Sequence, residues 1–250
     1  MSQLMIQLIP VENIPIVKTE DELWENLLRE VKKVGKDGDI LVSAHTPWSR
    51  VRGPIYKLSE MTPSERAKEI AKISEKPPEK VEVVLQESRE VIKVARNIIV
   101  SENSAGIICA NAGVDESNAG IGQAIGVPKD TDGLAREIRR RVKEECGISV
   151  AVIISDTVGR ALRIGAVNIA IGVAGIRPIY SEIGKVDLFG YTMRFSEIAI
   201  ADEIASAAEL IQGETDEAKP VVLVRGYKYE SMDNVSARVL NRPSEYRLFK

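Results

Sequence analysis

Aromatic side chains are scarce: Phe, Trp and Tyr together make up 4% of the 250 residues. The core must then be filled mainly by Ile, Val, Leu and Ala, which suits buried strands and closely packed helices. Histidine occurs once and cysteine twice. Cys109 and Cys146 fall in a strand-like run and at a helix end, without metal-ligand spacing. Reduced thiols in a cytoplasmic setting are expected, with a single Cys109–Cys146 disulfide as the alternative. No run of about 18 apolar residues is present, so no membrane span is expected. The formal net charge is only −3, which gives no global field toward nucleic acid or an anionic membrane. No stretch matches the GxxxxGK[ST] phosphate loop, and GIGQAIG (120–126), though superficially like a dinucleotide fingerprint, reads as a loop. The opening MSQLMIQLIPVENIP has neither a charged start nor a small-residue cleavage site. It reads as a first strand closed by Pro10 and Pro15 rather than as a signal peptide.

What is present is an ordinary balance of 44% hydrophobic and 28% charged residues. The length allows one large domain or two small ones; no repeat or linker divides the chain, and residues 1–250 are read as a single domain. A strand is expected over 4–11. A helix follows over 19–35, with Leu23, Leu27, Leu28 and Val31 at helical spacing, a cap near Thr19 or Glu20 and Gly35 at its end. A strand is expected in DGDILVSAH (37–45). A helix in TPSERAKEIAKI should have Thr62 as N-cap and Pro63 in its first turn. The apolar spacing predicts a further helix over 77–95, then a hairpin from NIIVSEN and GIICAN. A helix starting after Gly133 and ending at Gly147 carries a charged face read as solvated rather than as an RNA patch. SVAVIISDT and VNIAIGVAGI read as strands, the first buried on both faces. SEIAIADEIASAAELIQG reads as an Ala-rich helix and PVVLVRG as a last buried strand. Strands and helices mix without strict alternation, so the expected class is a mixed α/β (α+β) architecture.

The chemistry concentrates where apolar runs give way to acids. IICANAGVDESN (107–118) leaves a strand on Asn-Ala-Gly and then presents Asp115, Ser117 and Asn118. Asp156 and Thr157 follow AVIIS, and Glu214 follows a helix and its terminating Gly213. Oxygen ligands at element ends suit hard cations such as Mg²⁺ or Mn²⁺. Taken singly, each acid reads as a cap or turn residue; the joint pattern points to an ion. Arg160 and Arg163, just beyond Asp156, would grip phosphate or carboxylate oxygens, or form surface salt bridges. His45, just after a strand in SAHTPWSRVRG, has no Ser or Cys nucleophile signature beside it, and Trp48 in the same loop reads as a packing or lid residue.

NAGVDESN, ISDTVGR through AIGVAG, TPSERA, LIQGE through PVVLVRG, the opening PVENIPIV and the ending RPSEYRLFK occur in register. Together they resemble the coenzyme F420-0:γ-glutamyl ligase family over nearly the whole chain. The resemblance implies a fold of mixed sheets in two intertwined subdomains. It implies a homodimer that uses GTP to join L-glutamate to the carboxylate of coenzyme F420-0, through an acyl phosphate, releasing GDP and phosphate. Asp115, Asp156, Thr157 and Glu214 would hold two Mg²⁺ or Mn²⁺ ions, with K⁺ as an additional candidate. Glu12, Asn13, Ile14, Pro15, Ala44, His45, Arg50, Asn118, Gln212 and Gly213 would contact GTP, and Arg160 and Arg163 would act at the reacting groups. The alternatives are a ligase of the same build with another carboxylate acceptor or amino acid, and a nucleotide- or cofactor-binding protein without turnover. Against the family pattern, SRVRG puts Arg50 where lysine is usual and Arg52 where glutamate is usual. His45 replaces a small hydroxyl residue, and Arg247 stands where an acid is common.

Overall fold

A computed structural model describes residues 5–117, 119–160 and 162–247. β1 (Gln7–Pro10) leads to α1 (Glu20–Val34), β2 (Ile40–Ala44), a short α2 (Thr46–Arg52) and β3 (Ile55–Lys57). Helices α3 (Glu65–Ser74) and α4 (Pro78–Glu87) follow, then β4 (Ser88–Ala95), β5 (Ile98–Asn103), β6 (Ile108–Ala110) and β7 (Gln123–Ile125). α5 (Thr131–Arg141) runs into a π turn at Val142–Cys146, then β8 (Ala151–Arg160), β9 (Arg163–Ala174), β10 (Tyr180–Ser181), β11 (Glu197–Ile198), α6 (Ile200–Gln212) and β12 (Val221–Arg225).

The main sheet has the order β1-β12-β2-β8-β9. Only β2 and β8 pair in parallel; the other neighbours are antiparallel. The expected mixed α/β class is the one observed. Ala151 to Ser155 of β8 are all buried, the signature of a strand covered on both faces. The large apolar cluster joins this sheet to α1, α5 and α6. A smaller cluster joins α3 and α4 to β5, β7 and the turn after β6; it lies beside a three-stranded sheet, β4-β5-β6.

Local sequence explains most boundaries. Thr19 caps α1, its Oγ1 accepting from the Glu22 N–H while the Glu22 carboxylate accepts from the Thr19 N–H, so two orphan donors are met. Leu23, Leu27, Leu28 and Val31 are buried as their spacing requires, and Gly35 ends the helix.

Five expectations shift. α3 is capped by Ser64, whose Oγ accepts from the Ala67 N–H, not by Thr62; the Glu82 carboxylate holds Ser64 in place. The helix expected over 77–95 stops at Glu87, and Ser88–Ala95 form a strand. Ser88 Oγ bonds back to the Val84 carbonyl, and β-branched Val91 and Val94 pair with β5. α5 begins at Thr131, capped by Asp130, ahead of Gly133. GIGQAIG contains β7, which pairs with β3. HTPWSRVRG is not a loop: it holds α2, clamped by Trp48, whose ring lies 4.6 Å from Trp24 and whose Nε1 donates to Ser43 Oγ. Both cysteines are free. Among the described residues no helix is long and apolar enough to cross a membrane.

Candidate active site

The turn after β6 answers why a buried strand should end on Asn-Ala-Gly. Asn111, Ala112 and Gly113 all take left-handed backbone angles, φ 52°, 57° and 74°. For Asn111 and Ala112 this costs roughly 1–2 kcal/mol each, strain of the kind that collects at functional sites. Asn111 Oδ1 anchors the turn by accepting from the Ile99 N–H. At Gly113 a Cβ would meet Val127 Cγ2 at 2.4 Å, so the backbone can pass there only as glycine. The turn delivers Asp115, whose backbone pairs with Ile125 in both directions and whose carboxylate accepts from the Ser117 N–H and hydroxyl.

Asp156 and Thr157, read at the end of the strand SVAVIISDT, lie within β8, beyond its buried stretch. A bulge explains their exposure. Ile154 pairs with Gly172 but Ser155 with Ala170, leaving Ile171 as an extra residue on β9. Bulges re-aim the side chains beside them, and here Asp156 and Thr157 follow directly, opposite Ile169 and Asn168. His45 Nε2 lies 3.2 Å from Asp156 Oδ1, and its Nδ1 lies 2.9 Å from Ser49 Oγ. A Ser49 hydroxyl donating to Nδ1 leaves the proton on Nε2 to face the carboxylate. Burial pulls the His45 pKa down, but Asp156, Asp115 and Glu214 outweigh it, and the net shift is upward. All three acids therefore act on one imidazole.

Glu214 arrives from the other side. α6 ends at Gly213, whose φ of 66° turns the chain sharply, and Glu214 follows. Thr157 Oγ1 lies 2.6 Å from Asn168 Oδ1 and 2.5 Å from Glu214 Oε1, yet a hydroxyl has one proton to give. Asn168 Nδ2 donates to Glu209 Oε2 at 2.6 Å. Burial, and then the adjoining Glu214 carboxylate, push Glu209 up to about 7.

Asp115, Asp156, Thr157 and Glu214 line one polar cavity of about 280 Å³, together with His45, Asn168, Glu209, Gln212 and Gly213. The cavity is rich in oxygen acceptors and short of protons, which fits a hard cation. Among the described residues no three Asp, Glu, His or Cys side chains form a ready-made chelate. Mg²⁺ is usually held by one or two carboxylates completed by water and substrate phosphate, and this donor set matches that pattern.

A second cavity of about 260 Å³ adjoins the first, sharing Ala44, Thr46, Gln212, Gly213 and Glu214 with it. Ile14, Pro15 and Arg50 line it as well. Of the residues expected at a nucleotide, Ile14, Pro15, Ala44, Arg50, Gln212 and Gly213 are thus brought together. His45 is buried beside Asp156. Glu12 and Asn13 are exposed and line neither cavity, and Asn118 lies outside the described residues. Arg52 points away, to Glu137 and Glu20 and over the Trp24 ring. Arg160 folds back onto the carbonyls of Ile164 and Gly165 at the tip of its own hairpin; neither it nor the exposed Arg163 lines these cavities. Sequence reasoning missed Asn168 and Glu209. Asn168 had a signal, being the one polar side chain inside VNIAIGVAG. Glu209 had one too, three residues before Gln212 on the same helical face.

Acidic oxygens converge at the end of a mixed sheet, beside a cavity with one arginine, a donor set that a hard cation and an anionic ligand would fit. The comparisons with known proteins narrow this. The profile of the F420-0:Gamma-glutamyl ligase family matches residues 12–226, and the chain belongs to that family. It is 43% identical over 249 residues to the coenzyme F420:L-glutamate ligase of Methanothermobacter thermautotrophicus, covering 98% of this chain and 99% of that one. It is 45% identical over 215 residues to that of Methanocaldococcus jannaschii, 86% of each chain, and 42% identical over 227 residues to that of Methanopyrus kandleri, 91% and 88%.

Proposed function

We propose that the chain joins L-glutamate to the free carboxylate of coenzyme F420-0, spending GTP. One observation carries the reading: Asp115, Asp156, Thr157 and Glu214, spread over a hundred residues, line one cavity that opens into a second through Gln212 and Gly213. Amide formation from a carboxylate needs an activated leaving group. An acceptor carboxylate oxygen attacks the γ-phosphorus, GDP leaves, and an acyl phosphate remains. The glutamate nitrogen then attacks the acyl carbon, phosphate leaves, and the ammonium proton passes to solvent. Asp115, Asp156, Thr157 and Glu214 would hold Mg²⁺ or Mn²⁺, which supplies neutralisation of phosphate charge during transfer. Arg50 in the second cavity suits the nucleotide phosphates. The free thiols support a reducing, cytoplasmic setting. A homodimer is supported by a strongly apolar exposed segment between β10 and β11.

The test combines purified protein, Mn²⁺, GTP and F420-0 labelled with ¹⁸O in its carboxylate. GDP release should depend on both F420-0 and glutamate, the product should gain one glutamyl residue, and one ¹⁸O should appear in the released phosphate. GDP release that ignores both co-substrates, or product without label in phosphate, would reject the ligase and the acyl phosphate respectively.

A further inference from the structure

A third cavity, of about 330 Å³, is lined from three of the elements that line the acid-lined one, though no residue lines both. On β6, Ala110 lines the acid-lined cavity and Ile108 the third. On β9, Asn168 lines the first and Ala170 the other. Residues two apart on a strand share a face and lie about 7 Å apart, so on both strands the two linings stand that close. On α6, Glu209 lines the acid-lined cavity and Asp202 the third, two turns apart. Ile169, on the wall of the third cavity, is the cross-strand partner of Asp156.

The two spaces differ in character. The acid-lined cavity is polar, whereas Ile107, Ile108, Ile169 and Leu240 give the third an apolar wall. Its rim carries Lys93, Arg242 and Arg247. Among the described residues the exposed Lys93 and Arg242 side chains make no hydrogen bond or ion pair. Arg247 faces Glu90 and Glu102 at 3.4 and 3.5 Å, but its buried Nε finds no acceptor. Asp202 uses Oδ1 to accept from the Ala170 N–H.

We propose that the cavity between β6, β9 and α6 is the acceptor subsite, taking the flat heteroaromatic portion of an anionic carboxylate acceptor whose carboxylate end reaches the acid-lined cavity. This rests on the ligase reading above. An anionic carboxylate acceptor is repelled by Asp115, Asp156 and Glu214; the uncommitted cations Lys93 and Arg242 on the rim of the third cavity offset that repulsion. An apolar slot with few polar groups at its edge is the usual receptor for a planar ring.

The experiment uses the full chain and F420-0 itself as probe, followed by its fluorescence, with steady-state kinetics for all three substrates. Arg242→Glu changes an exposed, unbonded side chain and leaves the fold intact; Ile108→Trp fills the slot. Both should raise the KM and Kd for F420-0 at least tenfold, with the KM for GTP and for glutamate within twofold of wild type. Wild-type turnover with unchanged F420-0 affinity in both variants overturns the subsite and leaves the ligase standing. A wild-type protein that neither binds nor consumes F420-0 overturns the ligase reading, and the subsite with it. If Ile108→Trp unfolds, Arg242→Glu alone decides.

Discussion

Asp156 meets more of the site than any other side chain. His45 holds one of its oxygens, the Thr157 N–H donates to the same oxygen at 2.7 Å, and the strained turn before Asp115 passes close to the other. Asparagine would keep this shape and lose the charge. Asp156→Asn should therefore retain a cooperative melt within a few degrees of wild type, while Mn²⁺ binding weakens and turnover falls roughly 10²–10³-fold, the cost of removing one preorganised electrostatic stabiliser. Calorimetric titration with Mn²⁺ and a glutamate-dependent GDP assay would measure both; wild-type turnover would remove Asp156 from the chemistry. The residue scale is also where the sequence was most readable. Asp115, Asp156, Thr157 and Glu214 could be picked out because each polar group interrupts an apolar run or follows a terminating glycine. Arg160 and Arg163 could not be placed in the same way. Nearness in sequence to Asp156 says nothing about a long strand that carries both arginines out to a hairpin tip.

Among the elements, β9 does the most positioning. It pairs with β8 along its length and packs against α5 and α6. The bulge at Ile171 is held from outside the sheet: the Thr131 hydroxyl donates to the Ile171 carbonyl, and a Cβ on Gly172 would meet the Thr131 carbonyl oxygen at 2.4 Å. Gly172→Ala must push the start of α5 away from β9. Overpacking of this kind costs about 1–3 kcal/mol, so Tm should fall by about 2–12 °C at the 2–4 °C per kcal/mol of a chain this long. Mn²⁺ affinity should fall with it, because the bulge sets the aim of Asp156 and Thr157. A melting curve and a Mn²⁺ titration check both; an unchanged Tm would mean that α5 is free to move. None of this was legible beforehand. A bulge depends on which residue of a distant strand sits opposite, and the pattern of either strand alone does not contain it. α1 was fully legible because its cap, apolar stripe and terminating glycine are all local. β4 was misread because Val81, Val84, Val91 and Val94 keep a helical spacing through Ser88, and only pairing with β5 decides against it.

At the scale of the molecule, the segment between β10 and β11 carries the densest run of exposed apolar side chains among the described residues. It is tied to itself, Asp187 bonding to the N–H groups of Phe189 and Tyr191, and Met193 pairing with Gly184 and Lys185. Yet Leu188, Phe189 and Phe195 are 100%, 96% and 94% exposed, with Val186 and Tyr191 beside them. A chain with only three phenylalanines places two of them here in water. Full burial of each such side chain is worth about 1.5–3 kcal/mol, so a twofold contact using both copies of this segment has ample apolar area to hold a dimer. On the proposed homodimer, Phe189→Asp combined with Phe195→Asp should convert dimer to monomer in light scattering at micromolar concentration. Its circular dichroism should stay unchanged, because neither ring touches the core. Turnover of the monomer then separates two designs. Full activity means that each chain carries a whole site, whereas a large loss with intact Mn²⁺ binding means that the second copy completes the nucleotide or acceptor side. A double variant that remains dimeric would place the contact elsewhere and leave these aromatics as a face for something other than a second copy.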